Sequence, residues 1–540
     1  MVAPIRMGSK FRLNTTTVGG QTEAQLCLLK DGSFVAVWRH EVFAGQSIRG
    51  QFFNADGTKR GKEFLVSSSN GDFTQSDPAM TALSDGRFVV AWNGYSARGQ
   101  EVVARVFQPD GTPIGRQFVV SEHVDRPSLT SLSDGGFAVA YPTDFFEDNE
   151  IRTQVFGPSL ARIGDETTVN TSAMKFSSSA SLVSLQDKYM AFFLDYTDDN
   201  RIIGRILNND GSTPSNATDF VVATGEEHDS KPVAAKLSDG RVVAAWVKHR
   251  DAGTPFDAYA VVAQILNADG TKSGDELALS VPELDDCYAP VIAASAEGGF
   301  TLAYMKQHGN SASIRVAAFD KNGMRMGEDL LIEKFSTGQL YNITSLADGR
   351  VVVTWIKHLK GKNAYDSYAQ IVDPRQKAVD LAGTSSKDQY FGTRFDDKLA
   401  GAEGRDLLSG EAGRDTIHGG VGNDKLYGGR GQDVFVFDTT PNKTTNVDRI
   451  VDFNPKYDAI WLDDSVFAGL GDGTISTPVK FKSDMFVKGT KAKDRQDRII
   501  YDSETGALYY DQDGTGSKAK VKIAILPANL KLTYNDFFAV

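Results

Sequence analysis

The chain has 540 residues, 41% of them hydrophobic and 10% aromatic, with 52 glycines, 17 prolines, two cysteines and a formal net charge of −12. That apolar content supports real cores. The acidic balance argues against a nucleic-acid partner, and two cysteines (Cys27, Cys287) exclude a disulfide framework. The opening MVAPIRMGSKFRLN lacks the apolar stretch of a secretory signal, and no apolar run approaches the ~18 residues that span a bilayer. No cleavable signal and no transmembrane segment are expected.

The first 380 residues repeat. LSDGRFVVAW (83–92) recurs in LLKDGSFVAVW, LSDGGFAVAY, LQDKYMAFF, LSDGRVVAAW, AEGGFTLAY and LADGRVVVTW. The turn residues are Gly32, Gly86, Gly135, Asp187, Gly240, Gly298 and Gly349. Six positions after each stands an aromatic: Trp38, Trp92, Tyr141, Phe193, Trp246, Tyr304 and Trp355. A second half, such as SIRGQFFNADGTKRGKEFLVS (47–67), also recurs. Apolar runs separated by Asp-Gly turns read as strands and hairpins, so each unit holds four strands. Units of this size and kind are propeller blades, and the aromatics are expected to pack between blades.

Units one to six end in a strand of or near the form G-x-x-F-x-V, strict in Gly61–Val66 and Gly115–Val120, whereas the seventh lacks it. Gly8, Phe11 and Leu13 fit the same form, so the N-terminal strand is expected to complete the last blade and close the ring. This predicts a seven-bladed β-propeller over 5–382. Its loops between second and third strands are long and unlike one another, which is where specificity usually resides on a repetitive scaffold. They carry Asp144, Glu147, Asp148, Asp198, Asp199, Asp251 and Asp257. His40, Lys248, His249, Lys306, His308, Lys357 and His358 stand near the strand ends, as one basic patch or as unconnected solvated residues.

From Gly383 to Phe437 the period becomes nine. Asp388, Asp397, Asp406, Asp415, Asp424 and Asp433 recur in phase, each followed two positions later by a large apolar residue. Gly383, Gly392, Gly401, Gly410, Gly419 and Gly428 open the units, and Gly404, Gly413, Gly422 and Gly431 precede the last four aspartates. Gly420 and Gly429 complete the GGxGxD form in the last two. This is the pattern of a calcium-binding parallel β-roll, in which glycine supplies turns with positive φ and carboxylates and carbonyls hold the ion. The candidate metal residues are the six aspartates with Gly401, Gly404, Gly410, Gly413, Gly419, Gly420, Gly422, Gly428, Gly429 and Gly431, for several calcium ions. Ser386 and Phe395 replace the second turn glycine in the first two units, so ligation at Asp388 and Asp397 is the less secure.

After the nonapeptides come VDRIVDFNPKYDAIWLD (447–463), DRIIYDSETGALYYDQDG (497–514), VKIAIL (521–526) and a terminal LTYNDFFAV. Nonapeptides followed by these blocks resemble the C-terminal domain of serralysin-type, RTX-family proteins exported by type I secretion. The resemblance covers about residues 380–540. It implies passage through an ABC transporter as an unfolded chain, calcium-driven folding outside, and an uncleaved export signal matched by Asp536, Phe537, Phe538 and Val540. The expected chain is all-β: the propeller, a roll over 383–437, and a C-terminal β-rich export module over 438–540.

The zinc-protease motif H-E-x-x-H of serralysins is missing, as is a G-x-S-x-G nucleophile elbow. The repeat SDGRFVVAW departs in spacing from the Asp-box of sialidases. The reading is therefore a secreted calcium-binding protein whose propeller binds glycan, matrix or protein. The alternatives are a polysaccharide hydrolase or lyase and a surface-layer or biofilm component.

Overall fold

The computed structural model describes residues 3–43, 45–67, 74–96, 99–122, 124, 126–143, 150–170, 180–195, 201–215, 219–224, 232–250, 258–280, 285–358 and 364–540. Among them there is no α-helix, only strands and two short 3₁₀ turns. The chain divides into two compact units, Met1–Gln376 and Lys377–Val540.

The first unit holds seven four-stranded antiparallel sheets. Six are sequential meanders, from Gly20–Leu28 at the start of the first to Leu330–Phe335 at the end of the sixth. The seventh joins Gly338–Ser345, Val351–His358 and Tyr365–Asp373 to the N-terminal strand Ile5–Arg12. Ile5 faces Asp373 and Arg12 faces Tyr368, with a bulge between Met7 and Phe11. The seven-bladed ring closed by its own N-terminus is therefore the fold.

The bulge explains why glycine opens that strand. Gly8 has φ +65°, matched by Gly61 (+72°), Gly164 (+63°) and Gly274 (+85°) at the same place in blades one, three and five. A Cβ at any of the four would meet nothing within 4 Å, except that at Gly164 the nearest atom is the Asp210 carbonyl at 3.7 Å. The demand is on backbone conformation rather than space. A glutamine on the neighbouring strand caps each bulge. Gln370 Nε2 donates to the carbonyls of Met7 (3.0 Å) and Gly8 (3.3 Å). Gln51 and Gln154 do the same at Gly61 and Gly164, and Gln264 donates to the Gly274 carbonyl.

The seven aromatics are buried, and each sits in the seam between its own blade and the one before. Trp92 packs with Val35 and Val37 of blade one, Tyr141 with Val89 and Ala91 of blade two, and Trp246 with Met190 and Phe192 of blade four. Trp38 packs with Leu346 and Val352 of the last blade, so the closing seam is built like the others. Cys27 and Cys287 are buried, unpaired thiols in such seams.

In the second unit two parallel sheets coil with an 18-residue step. One stacks Leu381, Leu399, Ile417 and Phe435, and the other Tyr390, Leu408 and Leu426. The six apolar residues of the nonapeptides are all buried. Asp380–Ala382, which the sequence assigns to the end of the propeller, pairs with Lys398–Ala400 as a strand of the first sheet. Both sheets run on without a break. The first adds Ala459–Leu462 and the terminal Phe537–Ala539; the second adds Asp448–Ile450 and Val521–Ile525. One core joins Leu399 and Ile417 to Ile460, Leu508 and Phe537.

Gly8→Val forces a branched residue into a left-handed position and is expected to cost about 1–2 kcal/mol. Gln370→Ala leaves carbonyls of the same bulge unsatisfied, at about 1–3 kcal/mol. Thermal melts of the calcium-loaded chain check both, and equal melting temperatures for variants and wild type would contradict the closure.

Candidate metal centre

The nonapeptide aspartates divide their two oxygens between two tasks. In Asp406, Asp415, Asp424 and Asp433, Oδ1 accepts a hydrogen bond from the backbone N–H of the aspartate 18 residues earlier, and in Asp397 from that of Val379. Asp388 N–H donates to Asp406, Asp397 to Asp415 and Asp406 to Asp424, each at 2.8 Å; Asp415 donates to Asp433 at 3.1 Å. These bonds clip one coil to the next along two ladders. All six carboxylates are buried.

The second oxygen separates the six into two groups. In Asp406, Asp415, Asp424 and Asp433, Oδ2 is buried and has no partner. In Asp388 it accepts from the backbone N–H (2.6 Å) and hydroxyl (3.1 Å) of Thr384. In Asp397 it accepts from the backbone N–H and hydroxyl of Thr393. These are the units in which Ser386 and Phe395 replace the turn glycine, and in both a threonine follows the opening glycine.

The free oxygens border small spaces that only glycine leaves open. A Cβ on Gly401 would collide with Asp406 Oδ2 and the Gly419 carbonyl, and one on Gly410 with Asp415 Oδ2 and the Gly428 carbonyl. On Gly419 it would meet Oδ2 of both Asp424 and Asp448. Gly404, Gly413, Gly420, Gly422, Gly429 and Gly431 lie directly against carbonyls of the preceding coil: those of Ser386, Phe395, Ala402, Gly404, Glu411 and Gly413. Among the described residues no three His, Cys, Asp or Glu side chains converge on one point. The donors beside each free carboxylate oxygen are thus mostly backbone carbonyls, an all-oxygen set that suits a hard divalent cation.

Burial raises these carboxyls by more than the nearby Lys387 and Arg405 lower Asp406 and Asp424. Asp415 is pushed up to about 8 and Asp406 to about 7, in both cases by burial first and then by the like charges of the same ladder. Asp433 rises to about 6 by burial, then by Asp458 and Asp452. Asp424 is raised by burial, and Asp448 is raised well above the ordinary range by burial and by Asp424.

Asp448, Asp452 and Asp458 were missed by the period of nine. Asp424 N–H donates to Asp448 (3.1 Å) and Asp433 N–H to Asp458 (3.2 Å), so both ladders continue past the last repeat at steps of 24 and 25 residues. Asp452 accepts from the backbone N–H groups of Gly428 (2.9 Å) and Gly429 (3.0 Å). An aspartate preceding apolar strand residues, as in VDRIVDF, was the available signal.

Residues 383–417 and 400–435 match the family model described as the RTX calcium-binding nonapeptide repeat (4 copies). Residues 383–435 carry RTX repeats. Such repeats bind calcium, and the unpartnered oxygens lie within the matched span. A search of curated proteins finds no match. Among solved structures the chain is similar to a protein of unknown function from Dyadobacter fermentans at 12% identity, covering 69% of this chain and 100% of that one, TM-score 0.42. It is also similar to a polysaccharide lyase family 25 ulvan lyase (8% identity, 69% and 96% covered, TM-score 0.45) and to phage phi92 endosialidase (9%, 69% and 70%, TM-score 0.42). At these scores the likenesses carry no argument about activity.

The basic residues of the propeller do not form one patch. His40 is buried and hydrogen-bonded to Gln21. Lys248 pairs with Glu276, Lys306 and His308 both with Asp285, and Lys357 with Glu333. His249 and His358 pack against Tyr259 and Tyr365. Neighbouring side chains of the same or the adjacent blade occupy them one by one. The loop acids Asp144, Glu147, Asp148, Asp198, Asp199, Asp251 and Asp257 lie outside the described residues. Among the described residues no helix is long and apolar enough to cross a membrane.

The raised carboxyls set a pH dependence. Metal-free folded Asp433, Asp406 and Asp415 hold protons up to about 6, 7 and 8, against 3.8 ordinarily. The folded coil then binds more protons than the unfolded chain, so its stability is full below 3.8 and is lost as pH rises through 6 to 8. In chelator, circular dichroism should show a more stable roll at pH 5 than at pH 8, with calcium restoring it at pH 8. A flat profile would contradict this.

Proposed function

We propose that this is a secreted calcium-binding protein in which calcium folds the C-terminal unit outside the cell and the propeller acts as a binding module for glycan, matrix or protein. The observation that carries the calcium reading is the row of four buried carboxylate oxygens without partners, at Asp406, Asp415, Asp424 and Asp433. Calcium takes about six to eight oxygens. Here they would come from these carboxylates and from carbonyls of the glycine turns at 401–404, 410–413, 419–422 and 428–431. The ion supplies positive charge where the coil stacks negative charge, so binding and folding become one event. Asp388 and Asp397 are assigned a structural role, because Thr384 and Thr393 already satisfy them.

Export by a type I secretion ABC transporter rests on the resemblance of residues 380–540 to serralysin-type C-terminal domains. Its terminal motif is folded away: Phe537 and Val540 are buried, and Asp536 closes a capping box with Thr533. A signal held in the core is readable only before folding, which agrees with an unfolded chain in transit.

Calorimetry of calcium binding tests the assignment. Asp406→Asn, Asp415→Asn, Asp424→Asn and Asp433→Asn should each reduce the calcium bound or weaken it by tenfold or more. Asp388→Asn and Asp397→Asn should leave calcium binding unchanged and lower stability by about 1.5–3 kcal/mol, the worth of charge-assisted hydrogen bonds. Equal loss of calcium in all six variants would overturn the division.

A further inference from the structure

The first strands of all seven blades enclose a cavity of about 470 Å³, within the size range of small-molecule sites. Its polar residues gather where these strands begin. Thr22 faces Arg39 and Ser76 faces Asn93, so this is the end that carries the variable loops between second and third strands.

One position of the repeat is unusual there. Nine residues before the turn glycines Gly32, Gly86, Gly135 and Gly298, the backbone is left-handed at Glu23 (φ +59°), Asp77 (+51°), Arg126 (+40°) and Ala289 (+49°). Three of these interrupt strand register as bulges. Glycine is the residue such a backbone favours, yet three adjacent blades place Glu, Asp and Arg there, all lining the cavity. Strained positions kept by charged side chains on a shared cavity are a mark of use.

The groups are tied across blades. Glu23 accepts from the backbone N–H of Asp77 (2.7 Å) and from Arg39 Nη1 (3.0 Å). Asn342 of blade seven donates to Gln25 of blade one (2.7 Å). Tyr341 lies beside Glu23, its phenol pushed up to about 12 by burial and then by the Glu23 charge. The lining carries Glu23, Asp77 and Arg126, and Arg39, which answers Glu23, is shared with Glu41, so the charges nearly cancel with a slight acidic excess and an anionic ligand is not favoured. What remains is a dense ring of carboxylate, guanidinium, amide and phenol groups beside the apolar Pro78, Met80 and Leu129.

We infer that this end of the channel binds a neutral oligosaccharide, with Glu23, Asp77, Arg126, Tyr341 and Asn342 taking its hydroxyls and Pro78 and Met80 meeting the apolar faces of its rings. Carboxylates and planar amides suit paired hydroxyls, and the fixed inner strands hold them in place without ordering a loop. The inference rests on the propeller being the binding module, and it names the site and the ligand class.

The test uses the full chain in saturating calcium on an array of neutral, uronate-containing, sialylated and sulfated glycans, followed by calorimetry with the strongest-binding neutral oligosaccharide. Glu23→Gln, Asp77→Gly and Tyr341→Phe are each expected to weaken binding about tenfold or more. Asp77→Gly should melt no lower than wild type, since glycine suits a φ of +51°. Neutral-glycan binding that survives all three variants overturns the site while leaving the propeller a glycan binder. Binding restricted to charged glycans overturns the ligand class. A blank array overturns both the inference and the glycan-binding reading beneath it.

Discussion

The C-terminal unit of this chain is governed by the stacking of buried carboxylates, whose burial outweighs the pull of the nearby Lys387 and Arg405. Each ladder hydrogen bond within the repeats gives one carboxylate oxygen a partner 18 residues away, and the geometry of the coil then leaves the other oxygen facing a glycine turn. In Asp406, Asp415, Asp424 and Asp433 that second oxygen has nothing to accept from. Protons or a divalent cation can answer the charge, and the raised carboxyls show how strongly the metal-free coil favours the proton. In the proposed reading, calcium at neutral pH replaces those protons and the same contacts that repel in its absence then favour folding.

The propeller is organised on a different constraint, closure. Seven seams share one plan, an aromatic from each second strand against the sheet before it. The seventh is possible only because the N-terminus carries a copy of the bulged, glycine-started fourth strand. The glutamine caps make the equivalence chemical as well as geometrical: Gln370 does for Gly8 what Gln51 does for Gly61. Closure gives the last sheet the same four strands as the other six.

Much of this was legible in the residue order because both halves are periodic, and periodicity reports backbone conformation directly. Gly8, Phe11 and Leu13 identified the closing strand, and Leu399, Ile417 and Phe435 identified the roll interior. What escaped lay where the period breaks. Asp448 and Asp458 belong to the same ladders as Asp424 and Asp433, but the loop at 439–447 stretches the step to 24 and 25 residues. Thr384 and Thr393 look like ordinary turn residues until their N–H and hydroxyl groups are seen on Asp388 and Asp397. The basic residues near the propeller's strand ends could be read as one patch or as unconnected residues, and pairing with Glu276, Asp285 and Glu333 favours the second. Pairings between blades depend on side-chain reach, which no spacing encodes.

The most direct test of the central claim is an anomalous difference map from crystals grown in calcium. The account predicts calcium peaks beside Oδ2 of Asp406, Asp415, Asp424 and Asp433, and none beside Asp388 or Asp397, where Thr384 and Thr393 keep their hydrogen bonds. Peaks of equal height at all six aspartates, or none at the four with free oxygens, would contradict it.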